Sequence, residues 1–140
     1  MNHQMRAAVE SDARGVNEVS IFLGYRELPE PQAHENLNFL INSTVDNVYV
    51  SEVDGKIVGW VHVFYAPKLA SESFYEIGGL VVNPEFRGLG IGRSLVQYVL
   101  NNFKAKFRVR CNEKRAESHQ FYESIGFGSN KVQRVFEIRS

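Results

Sequence analysis

The chain has 140 residues, 16 basic and 16 acidic, enough for one domain with a real core across residues 1–140. It lacks the basic excess expected of a nucleic-acid binder. Its single cysteine, Cys111, excludes an internal disulfide and fits a reducing, cytoplasmic compartment. Met1-Asn2-His3-Gln4 carries no apolar signal region. The longest nearly apolar run, Val58 to Ala66, contains His62 and is far too short for a membrane span.

In chain order, Met5 to Val9 reads as a first strand. A helix follows from Glu10 or Ser11, with Ala13, Val16, Val19 and Leu23 on one face, and Gly24 ends it. Tyr25 to Gln32, with two prolines and three charges, reads as a loop. A second helix is expected from Ala33 to Ile41, then a polar turn from Asn42 to Asp46. Val48 to Val53, Asp54-Gly55 and Lys56 to Ala66 form a β-hairpin pattern, Asp-Gly being a strong two-residue turn signal. Ser73 to Val82 reads as a third long strand, Gly90 to Asn102 as a helix, and Phe107 to Cys111 as a strand with one polar face. Glu113 to Ile125 reads as a helix closed by Gly126. A last pair of short strands is expected within Phe127 to Ile138, around Ser129-Asn130. This order predicts an α/β (α+β) mixed sheet flanked by about four helices.

The chemistry concentrates where the third long strand ends. Val81-Val82-Asn83-Pro84 leads into Arg87-Gly88-Leu89-Gly90-Ile91-Gly92-Arg93, and a helical pattern begins at once. Glycines let the backbone approach a ligand closely. The first amides of a helix have no partner within it, so they face whatever anion fills the turn. The target is a phosphate or pyrophosphate. A mononucleotide P-loop is excluded because no Lys follows the glycines. The dinucleotide fingerprint is excluded because the spacing is G-x-G-x-G and the turn lies past mid-chain.

The pattern that does match is R-x-x-G-x-G at Arg87, Gly90 and Gly92. It resembles the acyl-coenzyme A pyrophosphate loop of the GNAT superfamily of N-acetyltransferases. The resemblance extends over nearly the whole chain. Leu23-Gly24-Tyr25, Val58-Gly59-Trp60-Val61-His62-Val63, Gly79-Leu80-Val81-Val82 and the run from Asn112 through Arg115, Ser118, His119, Phe121 and Tyr122 to Gly126-Phe127 are similar to a bacterial-type branch of it. Three departures stand out. The segment between Leu95 and Asn112 is about one helical turn short, Ser118 replaces a common Ala, and Gly78 stands where a carboxylate is frequent.

The resemblance implies acetyl-coenzyme A as cosubstrate, no metal, and direct transfer of acetyl to a primary amine of a small molecule in a ternary complex. A homodimer is compatible with it. Two other readings stay open at this point, a protein or peptide amine acetyltransferase and a non-catalytic acyl-coenzyme A-binding module. Arg87, Gly88, Leu89, Gly90, Ile91, Gly92 and Arg93 would hold the pyrophosphate. Leu80, Val81 and Val82 would offer backbone groups to the pantetheine arm where the strand splays from its neighbour, and a free N–H there would polarise the thioester carbonyl. Asn112 would bond the arm or cap the next helix. Tyr122 matches the family tyrosine that protonates the departing thiolate, a task suited to a group protonated at neutral pH. Glu76 is either a general base or an exposed strand carboxylate in a salt bridge. Strand periodicity puts it on one face with Gly78, Leu80 and Val82. His119 is expected to make a structural hydrogen bond, Cys111 to be a small buried thiol, and Arg108 and Arg110 to line a solvated face. Glu27, Glu30 and Glu35 read as an acidic loop that could attract a cationic amine.

Overall fold

The computed structural model describes residues 3–140; Met1 and Asn2, the start of the stretch read for a signal region, lie outside the described residues. Two compact units divide the chain, one ending at Val109 and one beginning at Arg110.

The first unit is built on a five-stranded sheet in the order β1-β2-β3-β4-β5. The strands are β1 (His3–Ala7), β2 (Asp46–Val53), β3 (Lys56–Ala66), β4 (Phe74–Val82) and β5 (Phe107–Val109). The first four run antiparallel to their neighbours and β5 runs parallel to β4. The β2–β3 turn has φ of 49° at Asp54 and 82° at Gly55, the pair of positive values that a tight right-twisted hairpin demands.

Helices α1 (Ala13–Ser20) and α2 (Glu30–Ile41) pack on one face of this sheet. There Ala8, Ala13, Leu37, Val48 and Val50 form a buried cluster against which Trp60 and Ile57 pack. Helix α3 (Ile91–Asn102) packs against β2, β3 and β4 through Ile91, Leu95, Val96 and Val99, all buried. It lies on the opposite face, since Tyr98 meets the ring of Tyr49, the strand neighbour of Val50. α2 begins three residues before the expected Ala33. Pro31 falls in its first turn, where a missing N–H costs no hydrogen bond, so the prolines read as loop in fact start the helix.

The second unit holds α4 (Ala116–Ile125), ended by Gly126 at φ 117°. The expected strands within residues 127–138 do not form. Val132, Val135, Phe136 and Ile138 are exposed. Alternating apolar residues make a strand only when another strand supplies the ladder, and none pairs here among the described residues. No described helix is long and apolar enough to cross a membrane.

Candidate active site

The geometry of β4 sets the site. β5 pairs with only three of its nine residues, at Tyr75↔Phe107, Glu76↔Arg108 and Ile77↔Val109. From Gly78 to Val82 the strand keeps its bonds to β3 but has no ladder partner on the β5 side among the described residues. This is the open edge that the sequence places at Leu80, Val81 and Val82, and it begins two residues earlier.

A β-bulge sits where the edge opens. His62 pairs with Gly79 and Val63 with Ile77, so Gly78 is the extra residue. Its insertion breaks the period of two. Glu76, cross-strand from Phe64, shares a face with Gly79 and Val81, while Leu80 and Val82 face the other way with Val61 and Gly59. The expected single face for Glu76, Leu80 and Val82 is therefore corrected. Both bulge glycines lie under aromatic rings. A Cβ on Gly78 would stand 3.0 Å from His62 Nδ1 and Phe64 Cε1, and one on Gly79 would stand 2.9 Å from Trp60. Only glycine admits that approach.

Beyond Val82, buried Asn83 fixes the turn. Its Oδ1 accepts from the Glu85 amide at 3.0 Å, and its own amide donates to Val58 O at 2.7 Å. A short 3-10 turn at Pro84–Phe86 leads to Arg87. Gly88 and Gly90 then take φ of 82° and 75°, with open space where a Cβ would stand. Gly90 caps α3 without any side-chain bond. The amides of Ile91, Gly92 and Arg93 thus emerge at the positive end of the helix dipole. Arg87, Leu89 and Arg93 are exposed around them. This cradle fits a pyrophosphate: it has donors, space and cationic side chains, and no carboxylate inside it apart from exposed Glu85 at its entry.

Glu76 is not the exposed carboxylate of the salt-bridge reading: its strand packs inward and it is 4% exposed. Its Oε1 accepts from Arg108 Nε at 2.8 Å and from Arg108 Nη2 at 2.5 Å, and the guanidinium also lies 4.3 Å from the Phe74 ring centre. Arg108 is therefore not part of a solvated face; its cross-strand neighbour in β4 draws it in, which no reading of β5 alone reveals. Of the two roles open for Glu76, the salt bridge is what the geometry displays.

A second acid–base pair on the same sheet face escaped sequence reading. His62 Nε2 lies 2.7 Å from Asp46 Oδ1, and Ser43 Oγ donates to Asp46 Oδ2 at 2.7 Å. The available signal was a histidine breaking the apolar run of β3 on its inward face. Asp46 was read as turn but opens β2.

In the second unit, Tyr122 packs edge-on against Phe121 and Phe127, with ring centres 5.0 and 5.4 Å away. Burial, with Cys111 adding to it, pushes its phenol pKa well above the ordinary tyrosine range, while Arg115 pulls the other way. Tyr122 is thus firmly protonated at neutral pH. Burial likewise raises the Cys111 thiol, with Arg115 opposing; the side chain is half-buried rather than the fully buried thiol expected. Asn112 Oδ1 accepts from the Lys114 amide at 2.9 Å, and its carbonyl lies 2.9 Å from His119 Nε2. It shapes the turn before α4 rather than capping the helix, and His119 holds it there. Glu27, Glu30 and Glu35 are all exposed. Among the described residues no group of His, Cys, Asp and Glu is arranged for a metal.

Comparison with known proteins follows the same outline. The model of the acetyltransferase (GNAT) family matches residues 17–127. A glucosamine 6-phosphate N-acetyltransferase of Trypanosoma brucei brucei is 28% identical over 98 residues, covering 67% of this chain and 66% of the relative. Over three curated relatives, each named as an N-acetyltransferase, the match spans 44% to 66% of the relative's length. Two solved structures share the fold. The glucosamine-6-phosphate N-acetyltransferase of Arabidopsis thaliana superposes with a TM-score of 0.86 at 21% identity, over 99% of this chain and 100% of its own. The aminoglycoside N-acetyltransferase AAC(6')-Iy, in complex with the bisubstrate analogue CoA-S-monomethyl-acetylneamine, gives 0.86 at 14% identity over 100% of both chains.

Proposed function

The chain belongs to the acetyltransferase (GNAT) family, and from that premise we propose that residues 1–140 form one domain that moves acetyl from acetyl-coenzyme A to a primary amine of a small molecule by direct transfer. One observation carries the reading: β4 has no parallel partner beyond Ile77 among the described residues and leads, through one short turn, to the positive-φ glycines that open α3. An unpaired strand edge and an anion cradle in series suit a long ligand with a pyrophosphate at one end and an amide-containing arm.

In this reading the amides of Ile91, Gly92 and Arg93, with Arg87 beside them, take the pyrophosphate. Backbone groups from Gly78 to Val82 bond the arm, and an N–H of the open edge polarises the thioester carbonyl. Asn112 contributes to holding the arm. Tyr122 gives its proton to the departing thiolate, and its buried, protonated state supports that role. Glu76 is committed to Arg108, so its part is to anchor β5 against β4 and end the ladder at a fixed residue. The two relatives that act, by name, on glucosamine 6-phosphate and aminoglycosides favour a small hydrophilic amine as acceptor.

The test is release of free thiol from acetyl-coenzyme A with a panel of glucosamine 6-phosphate, neamine and simple alkyl amines, each acetylated product being identified by mass. Acetyl-amide formation with at least one amine is expected. Coenzyme A binding with no acceptor consumed across the panel and across cell-extract metabolites would refute the transferase.

A further inference from the structure

We propose that His62 is the general base that takes the proton from the attacking amine, with Asp46 as its positioning residue. The inference rests on the transferase reading above and adds the group that reading leaves unassigned.

The argument starts from hydrogen-bond polarity. Asp46 can only accept when ionised, and it receives Ser43 Oγ on one oxygen and His62 Nε2 on the other, each at 2.7 Å. The Ser43 hydroxyl itself accepts from the Val45 amide at 3.2 Å, which fixes the carboxylate's orientation. Nε2 therefore carries the proton, and Nδ1 presents its lone pair. That nitrogen has no hydrogen bond in the described structure. No buried side-chain polar atom there lacks a partner, so Nδ1 keeps contact with solvent.

Its place is set by the bulge. A Cβ on Gly78 would stand 3.0 Å from Nδ1, so this nitrogen lies beside the one stretch of β4 that carries no side chain. Gly78 follows directly on Ile77, the last residue with a β5 partner. The base thus lies beside the point where the strand edge becomes free to bind a thioester arm. The charged groups on this sheet face are Asp46, Glu76 and Arg108 near His62, and Arg6 and Glu52 at the β1 side, where Arg6 binds both Glu52 and Asp12. Arg14 and Glu18 of α1 pair with each other at the surface, and Glu30, His34 and Glu35 of α2 are exposed. Glu76 is occupied by Arg108 at short range, leaving His62 as the open proton acceptor.

The step balances as follows. The amine nitrogen attacks the thioester carbon, forming the C–N bond, and gives a proton to Nδ1. The C–S bond breaks, and the thiolate takes the Tyr122 proton. The proton on the imidazolium, stabilised by Asp46, then passes through solvent to restore the tyrosine. Amide and thiol are the only products.

The experiment uses the full chain and an amine of the panel that wild type acetylates. His62→Gln keeps a donor for Asp46 and removes the base. Its kcat/KM at pH 7 should fall on the order of 10²-fold or more, with acetyl-coenzyme A affinity by calorimetry unchanged. Its kcat should lose the fall at low pH that a general base imposes on the wild-type profile. Asp46→Asn should fall about tenfold and shift the His62 ring signals in ¹⁵N NMR. In wild type those signals should report the Nε2-protonated tautomer. A His62→Gln protein with wild-type kcat/KM and pH profile, or an Nδ1-protonated wild-type ring, overturns the assignment while leaving the transferase intact. A loss confined to cofactor affinity also overturns it. No thiol release by wild type with any amine sinks both.

Discussion

The two edges of the sheet are each clamped by a carboxylate–arginine pair, and they end differently. At the β1 edge all five residues of the strand pair with β2. Arg6 there makes a two-pronged contact with Asp12, at 2.7 and 2.9 Å, and reaches Glu52 at 3.2 Å. At the other edge Arg108 grips Glu76, but β5 stops one residue later, and among the described residues the rest of β4 has no ladder partner on that side while it stays paired with β3. Unsatisfied backbone groups on an exposed edge are ordinarily a liability. Here they continue into a glycine turn and a helix N-terminus, the series on which the proposed cofactor site rests. The same chemistry of pairing therefore closes one side of the molecule and, cut short, opens the other.

That contrast breaks most completely at the cradle. Gly90→Val puts a β-branched side chain at φ 75°, a conformation such residues avoid. The site is exposed, so the domain should stay folded while coenzyme A affinity falls more than about 10³-fold, about 4 kcal/mol. Gly92→Val should act the same way by crowding the amides. Calorimetry on a variant with native circular dichroism checks this, and unchanged affinity would remove the pyrophosphate assignment.

The clamp beside the opening comes next. Arg108→Ala leaves the buried Glu76 carboxylate without its main partner, a loss expected to cost about 3 kcal/mol of stability. Replacing both residues, Arg108→Met with Glu76→Leu, should recover most of it, since no charge is then stranded. Urea denaturation of the single and double variants decides the matter. A single variant as stable as wild type would mean that the pair does not hold the short strand.

Tyr122→Phe sharpens the comparison by asking what chemistry the open edge serves. We expect kcat to fall on the order of 10²-fold, about 2.7 kcal/mol, with little change in KM for acetyl-coenzyme A, because only a transition-state interaction is lost. Full turnover with chemistry rate-limiting would rule out the donor role, and a change in KM alone would make Tyr122 a binding residue.

How far the sequence alone reaches follows the same division. The hairpin, α3 and the glycine cradle were legible because each is set by local chemistry: Asp-Gly at the turn, a period near 3.6, and glycines at alternate positions. Features that depend on a neighbour in space were not. The face of Glu76 was misread because one inserted residue, Gly78, resets a period of two, and only the register with β3 exposes it. Arg108 was placed in solvent because β5 says nothing about Glu76, which lies 32 positions earlier. His62 and Asp46 are 16 positions apart on adjacent strands, and a turn reading of Asp46 hid the pair. The strands expected in residues 127–138 failed for the converse reason, since the alternation was present and the partner strand was not.

The smallest effect belongs to the closed edge, and its pH dependence makes it diagnostic. Asp12 is 8% exposed. Hydrogen bonds from Arg6, aided by the Val9 amide at 2.8 Å, hold its carboxyl below the usual carboxylate range despite the opposing effect of burial. A carboxylate with a depressed folded pKa contributes stability above its unfolded value, near 4, and that stability is lost as pH falls through the folded value. Asp12→Asn should therefore cost about 1–2 kcal/mol at pH 7, with the same gap at pH 5.5. Below about pH 4 the gap should shrink, because wild type is then losing what the variant never had. The Asn side chain still accepts from Val9, so the local turn survives and the change isolates the charge. Urea unfolding of both proteins between pH 2.5 and 7 provides the curve. A gap that is flat across that range would show that β1 is held by its ladder and its apolar contacts, and that the Arg6–Asp12 pair adds no net electrostatic stability at this edge.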